Sequence, residues 1–207
     1  MRALLLLILL AFVSSTRAAL SLAPTPSEYL GEGVKYTQLM FKDDKRQVSY
    51  VPPSLWSYRG SAAQLQLTPP ENFKRATAAI EATPLTAPQP LDEKTIQLVR
   101  QQFLSSLPFG SQDVKVLAEE PNSVLIDGKI ETYEISVSYQ VYGEAYVRSC
   151  LFANLPDFQL RFKLTASKKD FDTLHRAFRA SIVSWQWTET QPEKTRVAVA
   201  TAAVSAN

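Results

Sequence analysis

Residues 131 to 166 read "ETYEISVSYQVYGEAYVRSCLFANLPDFQLRFKLTA". Tyr133, Ile135, Val137, Tyr139 and Val141 recur at every second position, as do Phe158, Leu160, Phe162 and Leu164 against Gln159, Arg161 and Lys163. That period places one apolar and one polar row on the two sides of a half-buried strand. Gly143 and the pair Pro156-Asp157 punctuate the stretch, as Asp127-Gly128 does just upstream. The segment therefore reads as an antiparallel meander. Its middle strand carries the one ambiguity. A three-residue loop at 142–144 aligns Val147, Ser149 and Leu151 with the apolar face of the preceding strand and turns Tyr146, Arg148, Cys150 and Phe152 to the other side. A two-residue loop reverses this, and both readings stay open.

On either side of the meander the period changes from two to that of a helix. "LDEKTIQLVRQQFLSSLP" (91–108) opens with Asp92 and Glu93, carries Ile96, Val99, Phe103, Leu104 and Leu107 on one stripe, and stops at Pro108 and Gly110. "SKKDFDTLHRAFRASIVSWQW" (167–187) begins with a capping-box pair, Ser167 and Asp170, and places Phe171, Leu174, Phe178, Ile182 and Trp185 on a second stripe. Helices are thus expected over 91–107 and 167–185. Farther upstream, "VKYTQLMF" (34–41) and "RQVSYV" (46–51) form a hairpin around a charged turn, closed by Pro52 and Pro53. "SLWSYRGSAAQLQL" (54–67) adds a Gly60 turn and a short strand. In "TPPENFKRATAAIEATPL" (68–85), a helix-start signal at Thr68, Pro69 and Glu71 gives one helical turn, and the alternation of Ala76, Ala78, Ile80 and Ala82 gives a strand after it.

The expected fold is α+β: an antiparallel sheet flanked by helices in an α/β/α sandwich, as a single domain over 34–187. An N-terminal extension (19–33) precedes it, and a tail (188–207) follows it in which "RVAVA" pairs transiently as a strand. Residues 1–18, "MRALLLLILLAFVSSTRA", have the order of a secretory signal peptide: Arg2, an apolar run, then Thr16 and Ala18 in cleavage positions. An apolar run of roughly ten residues falls short of the about twenty that cross a bilayer. A soluble extracytoplasmic protein, periplasmic or secreted, is the expectation.

The chain has 22 basic and 20 acidic residues; since the signal contributes Arg2 and Arg17 and no acid, the mature protein is neutral. A neutral chain has no global field for nucleic acid or an anionic membrane. One cysteine excludes an internal disulfide, and one cysteine with one histidine excludes Cys-rich zinc sites. No metal and no cofactor are expected. Stability must come from a hydrophobic core, which 189 mature residues of the 207 are enough to build.

The element around Tyr50, Pro52, Pro53 and Trp56 ("SYVPPSLW"), the long meander and a final helix opening on "KDF" together resemble the PsbP-like superfamily. The ending "SIVSWQW" departs from its usual "SF". That resemblance implies an α/β/α sandwich spanning 34–187 and a role in binding or assembly, with no catalytic constellation to carry over.

Two chemistries compete for the remaining residues. Cys150 with Arg148 beside it and His175 on the last helix would suit a small hydrolase or thiol enzyme; the bland alternative is a packed strand cysteine. Pairs of carboxylates at Glu131 and Glu134, or Glu119 and Glu120, are further candidates, although neighbours on a strand point to opposite faces. Against these stands a noncatalytic binding or assembly module, recognising another extracytoplasmic protein or a small ligand through aromatic residues at one sheet end: Trp56, Tyr58, Tyr142 and Tyr146, with Arg148. The absence of any motif for a nucleophile, oxyanion hole or metal favours the binding reading, with Cys150 as a packing residue.

Overall fold

The computed structural model describes residues 20–31, 33–42 and 46–189. The expected signal peptide and the tail beyond residue 189, with its "RVAVA" segment, lie outside the described residues. The elements run β1 (Ser21–Gly31), β2 (Val34–Lys42), β3 (Arg46–Tyr50), β4 (Ser57–Gly60), β5 (Gln64–Thr68), a 3-10 turn (Glu71–Phe73), β6 (Thr77–Pro84), α1 (Glu93–Ser105), β7 (Gln112–Pro121), β8 (Thr132–Val141), β9 (Glu144–Asn154), β10 (Phe158–Ser167), α2 (Phe171–Ile182) and β11 (Gln186–Glu189). They build two antiparallel sheets, ordered β1-β2-β3-β11 and β4-β5-β6-β10-β9-β8-β7.

The meander forms β8, β9 and β10 with the expected alternation. Its first turn is the two-residue one: Val141 pairs Glu144, while Tyr142 and Gly143 both take positive φ, 50° and 77°. That turn matches the twist of the flanking strands, and only the exposed tip makes room for a tyrosine in it. Register then puts Tyr146, Arg148, Cys150 and Phe152 opposite Tyr139, Val137, Ile135 and Tyr133. These residues share the sheet face that α1 covers, where Val99 and Phe103 pack on Tyr133, Ile135, Val137, Tyr139, Cys150 and Phe152. Asp92 caps α1 by accepting the Thr95 N–H at 2.8 Å, which also holds its carboxyl below the usual range. The helix starts two residues later and ends two residues earlier than its apolar stripe suggests.

The opposite face holds the larger core. Leu160, Phe162 and Leu164 of β10 meet Phe171, Leu174, Phe178 and Ile182 of α2, and beside α2 lie Leu39, Phe41, Val48 and Tyr50 from the four-stranded sheet. This corrects the expected architecture. The protein is mostly β, with eleven strands and two helices among the described residues; it is not α+β in the sense of a single sheet sandwiched between helices. The physical reason lies in the N-terminal strands. Their alternating apolar residues make a second buried sheet face, which needs cover of its own and finds it in the layer α2 occupies. The segment expected as an extension belongs to that layer, because Leu20 and Leu22 are fully buried and β1 pairs β2. So do Thr188 and Glu189, which continue β11 along β3.

Two joints tie the layers together. β1 crosses the end of β4 at Gly60, where a Cβ would fall 2.2 Å from Pro24 Cδ and 2.5 Å from the Leu22 carbonyl oxygen, so only glycine fits. Arg46 Nη2 meets Asp157 Oδ2 at 2.7 Å, with its guanidinium over the rings of Phe158 and Trp187. The last helix is also shorter than its sequence suggests. Ser167 donates to Asp170 at 2.6 Å as expected, but the helix begins at Phe171 with no side-chain cap. It ends at Ile182, which leaves Trp185 as a fully buried wedge among Phe41, Tyr50 and Phe162. No helix among the described residues is long and apolar enough to cross a membrane.

Candidate functional site

Strand alternation decides the chemistry of Cys150 and its neighbour. Cys150 faces α1, where burial pushes its thiol well above the ordinary range, against the smaller pull of Lys163, Arg161 and Arg148. Ser149 faces α2. His175 sits on α2 and therefore lies across the sheet from the thiol, so the Cys150/His175 pair of the rival thiol-enzyme reading does not form. What His175 meets is Glu134.

Glu134 is a carboxylate only 5% exposed, on the α2 side of β8. Its Oε1 lies 2.6 Å from His175 Nε2 and accepts from Ser149 Oγ at 2.7 Å; its Oε2 accepts from Ser123 Oγ at 2.7 Å. Arg179, one turn along α2 from His175, places Nε 3.6 Å from Oε2 and donates from Nη2 to the Ser123 carbonyl at 2.8 Å. Burial alone would raise this carboxyl. The hydrogen bonds from His175, Ser123 and Ser149 and the charge of His175 outweigh burial and lower it to about 2. An ionised carboxylate only accepts, so His175 Nε2 carries the shared proton, and the imidazole lies stacked on Phe171 with centroids 4.9 Å apart.

The order of these groups limits what they can do. In an acyl-transfer triad the imidazole stands between hydroxyl and carboxylate. Here the carboxylate is the hub, and both serine hydroxyls and the imidazole donate to it directly. Among the described residues no hydroxyl donates to the imidazole, and a carboxylate held near 2 is a weak base. The arrangement clamps α2 onto β8 and the β7–β8 connection. The other suggested carboxylate pair separates as strand geometry requires: Glu119 receives Arg100 of α1 at 2.7 Å, while Glu120 lies 3.9 Å from Arg179 of α2. Glu131 is exposed at the strand start.

The five residues expected to form a recognition surface divide between the two sides of the sheet. Trp56 is only 8% exposed and stacks on Phe178 at 6.1 Å and 7°, and Tyr58 packs against the same α2-side core. Tyr146 stacks on Tyr139 on the α1 side and donates to Glu144 at 3.0 Å; Tyr142 stands 98% exposed at the hairpin tip. Arg148 lies on the α1 side as well. Its placement draws attention to a feature of the seven-stranded sheet that no residue pattern announced.

α1 packs over the β8 and β9 part of its face and leaves β4, β5 and β6, with the adjoining side of β10, uncovered. A cavity of about 390 Å³ lies there, lined by Gln64, Gln66, Thr77, Ala79, Ser106, Arg148, Lys163 and Thr165. Arg148 is fixed at its edge. Its Nε donates to Thr165 Oγ1 at 2.9 Å, its Nη1 donates to the Ser106 carbonyl at the C-terminus of α1 at 2.9 Å, and its guanidinium lies 5.8 Å from the Tyr139 ring centre. No carboxylate pairs with it among the described residues. Lys163 opposes Ala79 across β10 and β6 and pairs with Glu81, which also accepts from Gln64 Nε2 at 3.0 Å. Among the described residues no cluster of acidic, histidine and cysteine side chains has the arrangement of a metal site.

Comparison with known proteins adds two solved structures of distant likeness. The crystal structure of LpqN involved in cell envelope biogenesis of Mycobacterium tuberculosis shares 15% identity over 81% of this chain and 92% of that one, at a TM-score of 0.47. A protein of unknown function, PA94 from Pseudomonas aeruginosa, described as a putative regulator, shares 14% over 81% and 98%, at 0.39. No family model and no curated protein matches the chain. Neither structural neighbour is described as PsbP-like, and at scores below 0.5 neither bears on what this chain does.

Sequence reasoning considered Glu134 and His175 separately and missed their pairing. The signal was present in two places. Thr132, Glu134 and Ser136 are polar residues alternating with the apolar row of β8, and His175 and Arg179 are spaced i, i+4 on one flank of α2. Only the stacking of helix on strand joins them.

Proposed function

We propose that the chain is an exported, noncatalytic binding module whose recognition surface is the open part of the seven-stranded sheet beside α1. The observation that carries this reading is Arg148: a guanidinium locked by Thr165, Ser106 and Tyr139, without a carboxylate partner among the described residues, at the edge of a polar cavity. The same bonds tie the C-terminus of α1 to β10, and fixing a charged side chain in advance lowers the ordering cost of binding. A cavity of this volume falls within the usual range for small-ligand sites. The groups an enzyme would have used are otherwise engaged, Cys150 as a buried neutral thiol and His175 as a donor to Glu134. Export follows from Arg2, the apolar run and the Thr16/Ala18 cleavage positions.

The test is a thermal-shift screen of small polar molecules on the mature protein, with Ala79→Trp to fill the cavity floor and Cys150→Ser and His175→Ala as controls. Ligands that stabilise the wild type and the two controls but not Ala79→Trp support the reading. Ligands indifferent to Ala79→Trp, or a turnover abolished by Cys150→Ser or His175→Ala in folded protein, overturn it. Truncating Trp56 is a poor probe of binding, because its stacking on Phe178 makes any loss a folding loss.

A further inference from the structure

Charge on the open sheet face is one-sided although the mature chain is neutral. Register places Arg59 opposite Gln66, Gln66 opposite Ala79, and Ala79 opposite Lys163, so these four share one row across β4, β5, β6 and β10. The next rows on either side add Arg161 opposite Glu81 and Arg148 opposite Thr165. Arg59, Arg148, Arg161 and Lys163 thus stand against Glu81 alone, and Glu144 at the start of β9 is taken by Arg75. Arg161 is held by neutral partners as Arg148 is, donating to Gln159 at 2.6 Å and to Gln102 of α1 at 3.3 Å. Neither guanidinium group has an ion-pair partner among the described residues.

The cavity beside Arg148 has a small floor and a polar rim. Ala79 leaves space where a larger residue would fill the row between Gln66 and Lys163. Gln64, Gln66, Thr77 and Thr165 supply amides and hydroxyls able to donate and accept, while the aromatic residues of this sheet face, Tyr133, Tyr139, Tyr146 and Phe152, lie toward the part that α1 covers. Of the Arg148 donors, the Nε hydrogen and one on Nη1 are spent on protein oxygens. One hydrogen on Nη1 and both on Nη2 remain as donors for an acidic group such as a carboxylate.

We propose that this face, taken as the recognition surface above, binds a small anionic polyhydroxylated ligand of the acidic-sugar class, with the carboxylate on Arg148, Lys163 contributing charge, and the hydroxyls on the Gln64, Gln66, Thr77 and Thr165 rim. The cation surplus selects for the acid group; the amide and hydroxyl rim selects for a carrier rich in hydroxyls over an apolar acid.

Titration of the ¹⁵N-labelled mature protein with D-glucuronate, followed by amide and arginine side-chain shifts, tests this directly, with D-glucose, acetate and inorganic phosphate as parallel probes. The expected result is saturable binding of glucuronate with shifts in β5, β6, β9 and β10, weaker binding of acetate and phosphate, and none of glucose. Arg148→Lys keeps the charge but loses the guanidinium donors and should weaken glucuronate by about tenfold, the worth of one charge-assisted hydrogen bond; Lys163→Gln should weaken it several-fold. Both variants must retain wild-type melting behaviour, and because Lys163 is tied to Glu81 and not to α1, its variant keeps the test valid if Arg148→Lys unfolds. Glucose binding as well as glucuronate, phosphate binding better than glucuronate, no saturable binding of glucuronate, or binding unaffected by either substitution would overturn the proposal. In each of those cases ligands found by thermal shift and lost in Ala79→Trp would leave the binding face standing, so the two readings fail separately.

Discussion

Replacing Glu134 with Gln should remove the clamp between α2 and the sheet while preserving shape. The carboxyl has an ordinary value of 4.5 and is lowered to about 2 in the folded protein. A lowered carboxyl stabilises the fold above its unfolded value and loses that contribution as pH falls toward the folded one. At about 1.4 kcal/mol per pH unit, its contribution at neutral pH is on the order of 3 kcal/mol, lost between pH 5 and 2. Glu134→Gln lacks this titration and also leaves Arg179 and the His175 proton without their charged acceptor. The expected loss at pH 7 is therefore roughly 3 kcal/mol, within the range for breaking a buried pair. Urea titrations of wild type and variant at pH 7, 5, 4 and 3 read it out. The gap should be widest at pH 7, hold to about pH 5, and shrink steadily below that. Other carboxyls titrate in both proteins and cancel in the difference. A gap that stays constant from pH 7 to 3, or one below half a kcal/mol at pH 7, would show that the Glu134 cluster does not hold α2 in place.

Phe178→Ala should cost about 3 to 5 kcal/mol in the same assay, since it removes a buried ring stacked on Trp56 from the main core; a loss under half a kcal/mol would place α2 elsewhere. Cys150→Ser should cost about 1 to 3 kcal/mol by burying a hydroxyl among Ile135, Phe152 and Phe103, and the native thiol should react with a maleimide only at the rate of opening of the fold. Fast labelling of the folded protein would refute its burial under α1.

The parts of this protein legible in its sequence are those where one element reports on itself. Alternation in 131–166 gave the strands of the meander, and the capping and apolar stripe of 92–107 gave α1 to within two residues. The counts of one cysteine and one histidine excluded disulfides and zinc sites built on several of either. Periodicity states which face a residue takes within its own strand or helix; it carries no information on which other element covers that face. The second sheet escaped notice for this reason. Its strand β11 joins β3 across almost the whole described chain, and β10 pairs with β6 as well as with its neighbour β9. The turn at Tyr142 and Gly143, whose length sets the side on which Cys150 lies, rested on a tyrosine accepting a positive φ, which local preference disfavours and an exposed hairpin tip permits. Glu134 and His175, 41 residues apart, became partners only when α2 came to lie on β8 and β9. Desolvation then made an exchange of bonds with water too costly, and a charge that sequence could read as a surface carboxylate became the buried centre of four side chains.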